Sequence, residues 1–275
     1  MPPSEGVAAV EVEARRFAYD AGPSGPAFER AVAVEAPVQF TIGGAPHAVM
    51  MATPQDLEDF AYGFLLTEGI ARPADIRGVE VSEAPDGWRI AVALSAEKLR
   101  THLARRRVIA GRTGCGVCGV EDLADIPAPE PVPAGPPVAP EAVGEAVAAL
   151  DRSQPLNART RAVHGAAWAA RDGRILLVRE DVGRHNALDK AIGALLRADA
   201  DPRDGFFVIT SRCSFEMVVK AALFGTGSLV SVSAPTSLAL EKARAFGVTV
   251  ISVARSDSAL SFGAADGEAS GGLAA

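Results

Sequence analysis

Two cysteines, Cys115 and Cys118, sit in the run GRTGCGVCG at 111–119, with Arg100, Arg105, Arg106, Arg107 and Arg112 just before or within it. A cysteine thiolate attacks sulfur or binds metal, and neighbouring positive charge lowers the thiol pKa toward that form. Gly111, Gly114, Gly116 and Gly119 open backbone conformations closed to other residues and let a large partner come close. The run has the chemistry of a reactive thiol on an adaptable arm.

A bare C-x-x-C serves as half of a zinc site, as a dithiol redox pair, or as a sulfur-transfer nucleophile with a helper. Structural zinc needs four ligands, yet Cys213 is far along the chain and His47, His102, His164 and His185 are scattered. A zinc deaminase would place H-x-E ahead of P-C-x-x-C, and both the order and the flanks differ here. Thioredoxin-like chemistry expects the pair at the start of a helix, which glycine between and around the cysteines opposes. Sulfur transfer is the reading left. Cys213 reads as a buried free thiol, and His47 and His102 as surface or structural residues.

Three further polar segments invite a ligand: EDVGRHN at 180–186, TSRCS at 210–214 and SAPTS at 233–237. Each joins a strand to a helix, and a helix N-terminus offers free amides and a positive dipole end to an anion. The candidate contacts are Asp181, Gly183, Arg184 and His185 in the first, Ser211 and Arg212 in the second, and Ser233, Thr236 and Ser237 in the third, with Arg255 beyond them. The plainer reading of a serine or threonine before a helix is an N-cap, and Asp181 has the same alternative. His164 either lines a pocket near Cys115 or is a hydrogen-bonded strand histidine.

These groups need a scaffold. The chain has 275 residues, 48% hydrophobic and 22% charged, enough for one large domain or two ordinary ones. A formal net charge of −7 argues against nucleic acid or an anionic membrane as partner. No apolar run approaches the ~20 residues of a membrane span, no secretion leader is visible, and three cysteines suit a reducing, cytoplasmic setting.

Residues 29–52 read as a hairpin turning at Gly43-Gly44-Ala45-Pro46. Thr53 is the expected cap of a helix whose apolar stripe is Leu57, Phe60, Ala61, Phe64 and Leu65, stopped by Gly69. Strands at 78–81 and 88–94 and a basic helix at 97–107 deliver the chain to the cysteine run. Ile126 to Glu141 is proline-rich and reads as a linker. Beyond it, a hairpin around Asp172-Gly173 and then alternating strands (174–179, 206–210, 228–232, 248–253) and helices (186–197, 214–224, 236–246) imply a mostly parallel sheet. The expected fold class is α/β: an N-terminal α+β domain at 28–125 carrying the cysteine loop (about 108–120), a linker at 126–141, and an α/β domain at 142–255. Residues 1–27 and 256–275 are expected to be flexible.

GRTGCGVCGVEDL, EDVGRHNALDKAIG, SRCSFEMVVKAA, SAPTSLA and MATPQDLEDFAYGFLLTEGI together resemble the FdhD/NarQ family, in order from about Phe28 to Arg255. The resemblance implies a sulfur carrier, or sulfurtransferase, needed for formate dehydrogenase maturation. Such a protein takes sulfane sulfur from a cysteine desulfurase as a persulfide, on the residue matching Cys115, with Cys118 as the second cysteine. It passes the sulfur to the molybdenum cofactor in its bis(molybdopterin guanine dinucleotide) form, for which a guanine nucleotide such as GDP can stand in. The resemblance also implies a cytidine-deaminase-like C-terminal fold without the zinc chemistry, and a homodimer. The chain departs from the family at VARSDS (253–258), where only Arg255 keeps basic character. The alternative from a different class is a non-catalytic cofactor-binding chaperone whose cysteine pair is structural or binds zinc.

Overall fold

The structure, a computed structural model, describes residues 6–106, 129–133, 137–255 and 257–262. Ordered pairing begins earlier than the composition suggests. Within the stretch expected to be flexible, β1 (Ala9–Ala18) turns at Tyr19–Ala21 into β2 (Gly22–Ala33), and the two form an antiparallel ribbon with a bulge between Ala14 and Arg16.

The strands β3 (Ala36–Ile42) and β4 (Ala45–Ala52) make the expected hairpin, with Gly43 and Gly44 at positive φ in the turn. Helix α1 (Leu57–Thr67) follows. Its stripe of Leu57, Phe60, Ala61, Phe64 and Leu65 is buried, and Phe40 stacks on Phe64 at 4.4 Å between ring centres. The strands β5 (Ile76–Ala84) and β6 (Gly87–Leu94) complete a four-stranded sheet of order β4-β3-β6-β5. Alternation along β6 buries Trp88, Ile90, Val92 and Leu94 beneath α1, which accounts for that helix's apolar face. The basic helix is α2 (Ala96–Arg106).

The start of α1 differs from expectation. The residue before it is Asp56, at φ 52°, and its side chain makes no capping bond. Thr53 is drawn elsewhere: its amide donates to Asp181 Oδ2 (3.0 Å), its hydroxyl accepts from the Val182 amide (3.2 Å), and its carbonyl accepts from Lys190 Nζ (2.8 Å). The pattern that reads locally as a cap is a long-range clamp.

Helix α3 (Pro140–Leu150) begins within the expected linker, and α4 (Pro155–Thr160) follows it. The second sheet holds β7 (His164–Ala170), β8 (Ile175–Asp181), β9 (Gly205–Ile209), β10 (Ser228–Ser231), β11 (Thr249–Ser252) and β12 (Leu260–Phe262), in the order β12-β11-β10-β9-β7-β8. The helices α5 (Arg184–Arg197), α6 (Phe215–Phe224) and α7 (Ser237–Phe246) lie between successive strands from β8 onward. The sheet is mixed, not mostly parallel: β9–β10 and β10–β11 are parallel, whereas β7–β8, β7–β9 and β11–β12 are antiparallel. The cause is β7, which stays paired to its hairpin partner and also pairs with β9, so the β8–α5–β9 crossover passes over it. Strands β8 to β11 nevertheless run in one direction, and their carboxyl ends share an edge.

Alternate sheet residues divide the core. Trp168, Phe207, Ile209, Leu229 and Val250 meet α5, α6 and α7, and Ala167, Phe206, Val208 and Val230 meet α3. The two sheets are joined through α1 and α5, which cross at glycines. A Cβ on Gly63 would strike the Asp189 carbonyl, and one on Gly193 the Asp59 carbonyl. Charges bind the crossing too. Lys190, fully buried, meets Asp181 at 2.6 Å, Lys220 meets Asp189 and Thr67 at 2.8 Å each, and Asp59 holds both Arg179 and Arg197.

Candidate functional site at the carboxyl edge of the second sheet

The three polar turns follow β8, β9 and β10 and therefore lie along one edge. The antiparallel β7 begins at that edge, where register sets His164 beside Asp181 and Ala166 beside Ile209. His164 is thereby inserted between the first turn and the second. The second and third turns are fastened together: Cys213 and Pro235 form a parallel bridge, with the Cys213 amide donating to Ala234 O (3.2 Å) and the Thr236 amide to Cys213 O (3.0 Å). Cys213 is wholly buried, and desolvation pushes its thiol up to about 12, so it remains a protonated, inert core residue, as expected.

Asp181 does not reach outward. Its side chain has no exposed surface, Oδ1 accepts from the Gly183 amide (2.7 Å) and Asn186 Nδ2 (3.0 Å), and Oδ2 accepts from Thr53 and Lys190. The expectation of a contact to the cofactor is corrected to the alternative one: Asp181 holds the turn. Gly183 precedes α5, and a Cβ there would meet Asn186 Nδ2 at 2.8 Å and push that amide against its bonds to Met51 O and Asp181 Oδ1. Ser211 is also turned inward: its hydroxyl donates to Arg212 O (3.1 Å) and its carbonyl accepts from Ser231 (2.8 Å). Thr236 caps α7 by accepting from the Ala239 amide at 3.3 Å, the plainer of the two roles open to it. Ser233 gives its carbonyl to Ser231 and Val253, while Ser237 opens α7 exposed to solvent. Arg212 is exposed. Arg255 is anchored over the third turn, its guanidinium donating to Val232 O at 2.6 Å.

What remains free lies between the first two turns. Arg184 Nε, His185 Nε2 and Ser214 Oγ are buried atoms with no hydrogen-bond partner among the described residues. Buried polar atoms are nearly always paired, so an unsatisfied group of this kind marks a place where another molecule or water sits. Ser214 precedes α6 yet makes no capping bond, which leaves its hydroxyl and the helix N-terminus available together. His185 is held neutral, its pKa pushed down to about 4 by burial, then by Arg184 and Lys220, with Glu216 opposing. His164 is also lowered, by burial and then Arg184, against Asp181. These shifts define a neighbourhood of His164, Arg184, His185, Glu216 and Lys220, beside which α5 and α6 begin, each with its positive dipole end. It is suited to an anionic ligand that also carries hydrogen-bond donors and acceptors.

Sequence reasoning missed Ser214, Glu216, Lys220 and Thr53. Ser214 had a visible signal as the last residue of TSRCS; the other three are assembled only by tertiary packing. Cys115 and Cys118 lie outside the described residues. His47 and His102, scattered in sequence, approach to 5.2 Å between ring centres. No group of three or more His, Cys, Asp or Glu residues among the described residues is arranged to hold a metal ion, and no described helix is long and apolar enough to cross a membrane.

A mixed α/β protein with an anion-receptive strand edge and a glycine-rich cysteine pair is thus defined. The chain belongs to the FdhD/NarQ family, whose model matches residues 33–266. It is 50% identical over 229 residues to a protein of Bordetella petrii named sulfur carrier protein FdhD, covering 82% of this chain and 81% of that one. Proteins of the same name from Xanthomonas campestris (48% identical, 82% and 80% covered) and Variovorax paradoxus (47%, 82% and 82%) are similarly close. The fold is similar to a crystal structure described as that of a formate dehydrogenase accessory protein from Desulfotalea psychrophila, with a TM-score of 0.71, 26% identity, and 94% and 98% of the two chains covered.

Proposed function

We propose that this protein is a sulfur carrier acting in formate dehydrogenase maturation, with sulfurtransferase chemistry at Cys115. The thiolate of Cys115 attacks the outer sulfur of a persulfide on a cysteine desulfurase. The donor's S–S bond breaks, the donor leaves as a thiolate, and Cys115 keeps the persulfide. Attack of the Cys118 thiolate on the inner sulfur then releases the outer one as hydrosulfide and leaves a Cys115–Cys118 disulfide. The acceptor is the molybdenum cofactor in its bis(molybdopterin guanine dinucleotide) form, bound as substrate, and the protein works as a homodimer in the cytoplasm.

The observation that carries this reading is the group of orphaned atoms, Arg184 Nε, His185 Nε2 and Ser214 Oγ, beside helix N-termini in a member of this family. Such an edge receives the phosphates of a dinucleotide, and Gly183, Arg212, Ser233, Ser237 and Arg255 lie along it. Incubation with a cysteine desulfurase and cysteine should add one sulfur atom to the Cys115 peptide by mass spectrometry. Cys115→Ala should abolish both that label and formate dehydrogenase activation. An unlabelled wild-type peptide would end the persulfide mechanism. GDP binding by calorimetry tests the edge, with Arg184→Gln and Ser214→Ala each expected to weaken it.

One observation favours a second reading, the non-catalytic cofactor-binding chaperone with a zinc-binding cysteine pair. His47 and His102, far apart in sequence, stand 5.2 Å apart between ring centres, so two imidazoles share one neighbourhood. Stoichiometric zinc in the purified protein, lost in Cys118→Ser, would decide for it.

A further inference from the structure

The outer edge of β8 is open and fronts a groove. This strand ends the second sheet and pairs only with β7 among the described residues. Other edges of the two main sheets are blunted: β12 has three residues, β4 carries Pro46, and β5 displays Glu80 and Glu83. By contrast β8 runs for seven residues without proline or lysine, and its charged residues Arg179, Glu180 and Asp181 are engaged inside the fold. Apart from β7, the main chain of 175–180 bonds among the described residues only to Arg179's own guanidinium, which donates to Val178 O at 3.0 Å. A bulge in the β7–β8 register falls at Leu176 and re-aims it, so that it is 56% exposed while Leu177 and Val178 pack on the two cores.

The groove beside this edge encloses about 360 Å³, between the turn before α1 (Gln55, Asp56) and the approach to α4 (Ser153, Pro155). Its lining is acidic: Asp56 and Glu180 contribute to it, and no described basic residue does. Glu180 accepts from the Leu156 and Asn157 amides at 2.9 and 2.8 Å. Burial raises its pKa, those two amides lower it, and the nearby charge of Asp56 raises it again. Asp56 sits at φ 52° and makes no capping bond to α1, so its carboxylate is committed to Arg179 and to this groove. Ion pairs join Asp56, Glu58 and Asp59 to Arg179 and Arg197, so with Glu180 four carboxylates share two guanidiniums among the described residues. The excess of negative charge selects a basic occupant.

We propose that this groove docks an extended basic segment of a partner protein, which joins the second sheet as a further strand beside β8. Its main chain pairs with the open edge, an apolar side chain lies on Leu176, and a lysine or arginine meets the carboxylates of Asp56 and Glu180. Main-chain pairing supplies the affinity, and the two side-chain contacts supply the selectivity. An acidic segment is rejected by the same carboxylates. The strand β8 ends at Asp181, within the first polar turn, so the docked segment brings its protein alongside the candidate site.

This groove stands apart from the sulfur chemistry and needs no part of it. The probe is the peptide acetyl-Lys-Val-Thr-Lys-Val-Thr-Lys-amide, whose repeat presents both lysine and valine on each face of a strand. On the full-length protein, hydrogen exchange at the amides of 175–180 not held by β7 should slow by about tenfold or more when the peptide saturates. Leu176→Lys should weaken binding by about tenfold or more, because a like charge replaces the apolar contact, and Gln55→Lys on the opposite wall should act in the same sense. Both positions tolerate the change, so wild-type unfolding midpoints are expected. Replacing the peptide's lysines by glutamate should cost about tenfold or more. Methylating both valine amides should do the same, since one of the two faces the edge in either orientation and can no longer donate. Unslowed amides, equal binding of the glutamate peptide, or binding that both variants leave intact overturns the proposal. Binding that survives methylation is adhesion by charge alone and also overturns it. So does protection of 175–180 that appears without peptide and rises with protein concentration, which would mean that a second copy covers the edge.

Discussion

His185 is the residue on which the candidate site's chemistry turns. Its Nε2 is buried and unsatisfied, and its pKa is pushed down to about 4, so the ring enters neutral pH uncharged and able to accept or donate a hydrogen bond. The same shift predicts an acid sensitivity. Between the ordinary histidine value of 6.5 and about 4, the unfolded chain binds a proton that the folded chain refuses. The contribution to stability is therefore full above pH 6.5 and lost as the pH falls toward 4, to a total of roughly 3 kcal/mol. His185→Gln should flatten that part of the profile. Urea unfolding midpoints at pH 7 and pH 4.5, compared between wild type and variant, measure it, and equal acid losses in the two would contradict the assignment. Asp181 illustrates the converse at the same scale. In sequence it is indistinguishable from a ligand contact, and only the arrival of Thr53 and Lys190 from elsewhere in the fold makes it a structural residue.

At the scale of elements, the crossing of α1 and α5 fixes where the site can be. Gly63 and Gly193 each lie against a carbonyl oxygen of the opposite helix, so a methyl group at either position has nowhere to go. Gly193→Ala should cost about 2–3 kcal/mol, toward the upper end of the usual cost of overpacking a core, despite alanine's better helix propensity. Denaturant unfolding reads this directly, and a neutral or stabilising result would mean that the helices are further apart than the structure has them. Much at this scale is legible in the sequence. The stripe Leu57 to Leu65, the Gly43-Gly44 turn and the three strand-to-helix turns are set by short-range periodicity and turn chemistry, and they fall where the pattern places them. The insertion of β7 between β8 and β9 is not legible, because hairpin spacing says which strands pair but not which further strand joins them. The β1–β2 ribbon is only half legible: Val10, Val12 and Ala14 alternate with Glu11, Glu13 and Arg15 in β1, whereas β2 opens on Gly22, Pro23, Gly25 and Pro26, a composition that reads as loop. The orphaned atoms of Arg184, His185 and Ser214 are absences of partners, and no local pattern encodes an absence.

For the whole molecule, the two sheets act as one body because buried charges cross between them. Lys190 reaches from α5 to the Thr53 carbonyl while neutralising Asp181, and both charged groups are fully buried. Lys190→Met should destabilise by about 3–5 kcal/mol, chiefly by stranding the Asp181 carboxylate, and Asp181→Asn in the same chain should recover part of that loss. Thermal unfolding of the four proteins of that cycle gives the coupling; additive effects would show that the pair does not act as a unit. A last consequence follows from where α2 ends. In sequence Cys115 lies nine residues beyond Arg106, the last residue of α2. At ~3.3–3.6 Å per residue, whatever Cys115 carries stays within about 30 Å of Arg106 in any conformation. The sulfur proposed for Cys115 is therefore to be handed over inside that radius, and its acceptor site must lie within it.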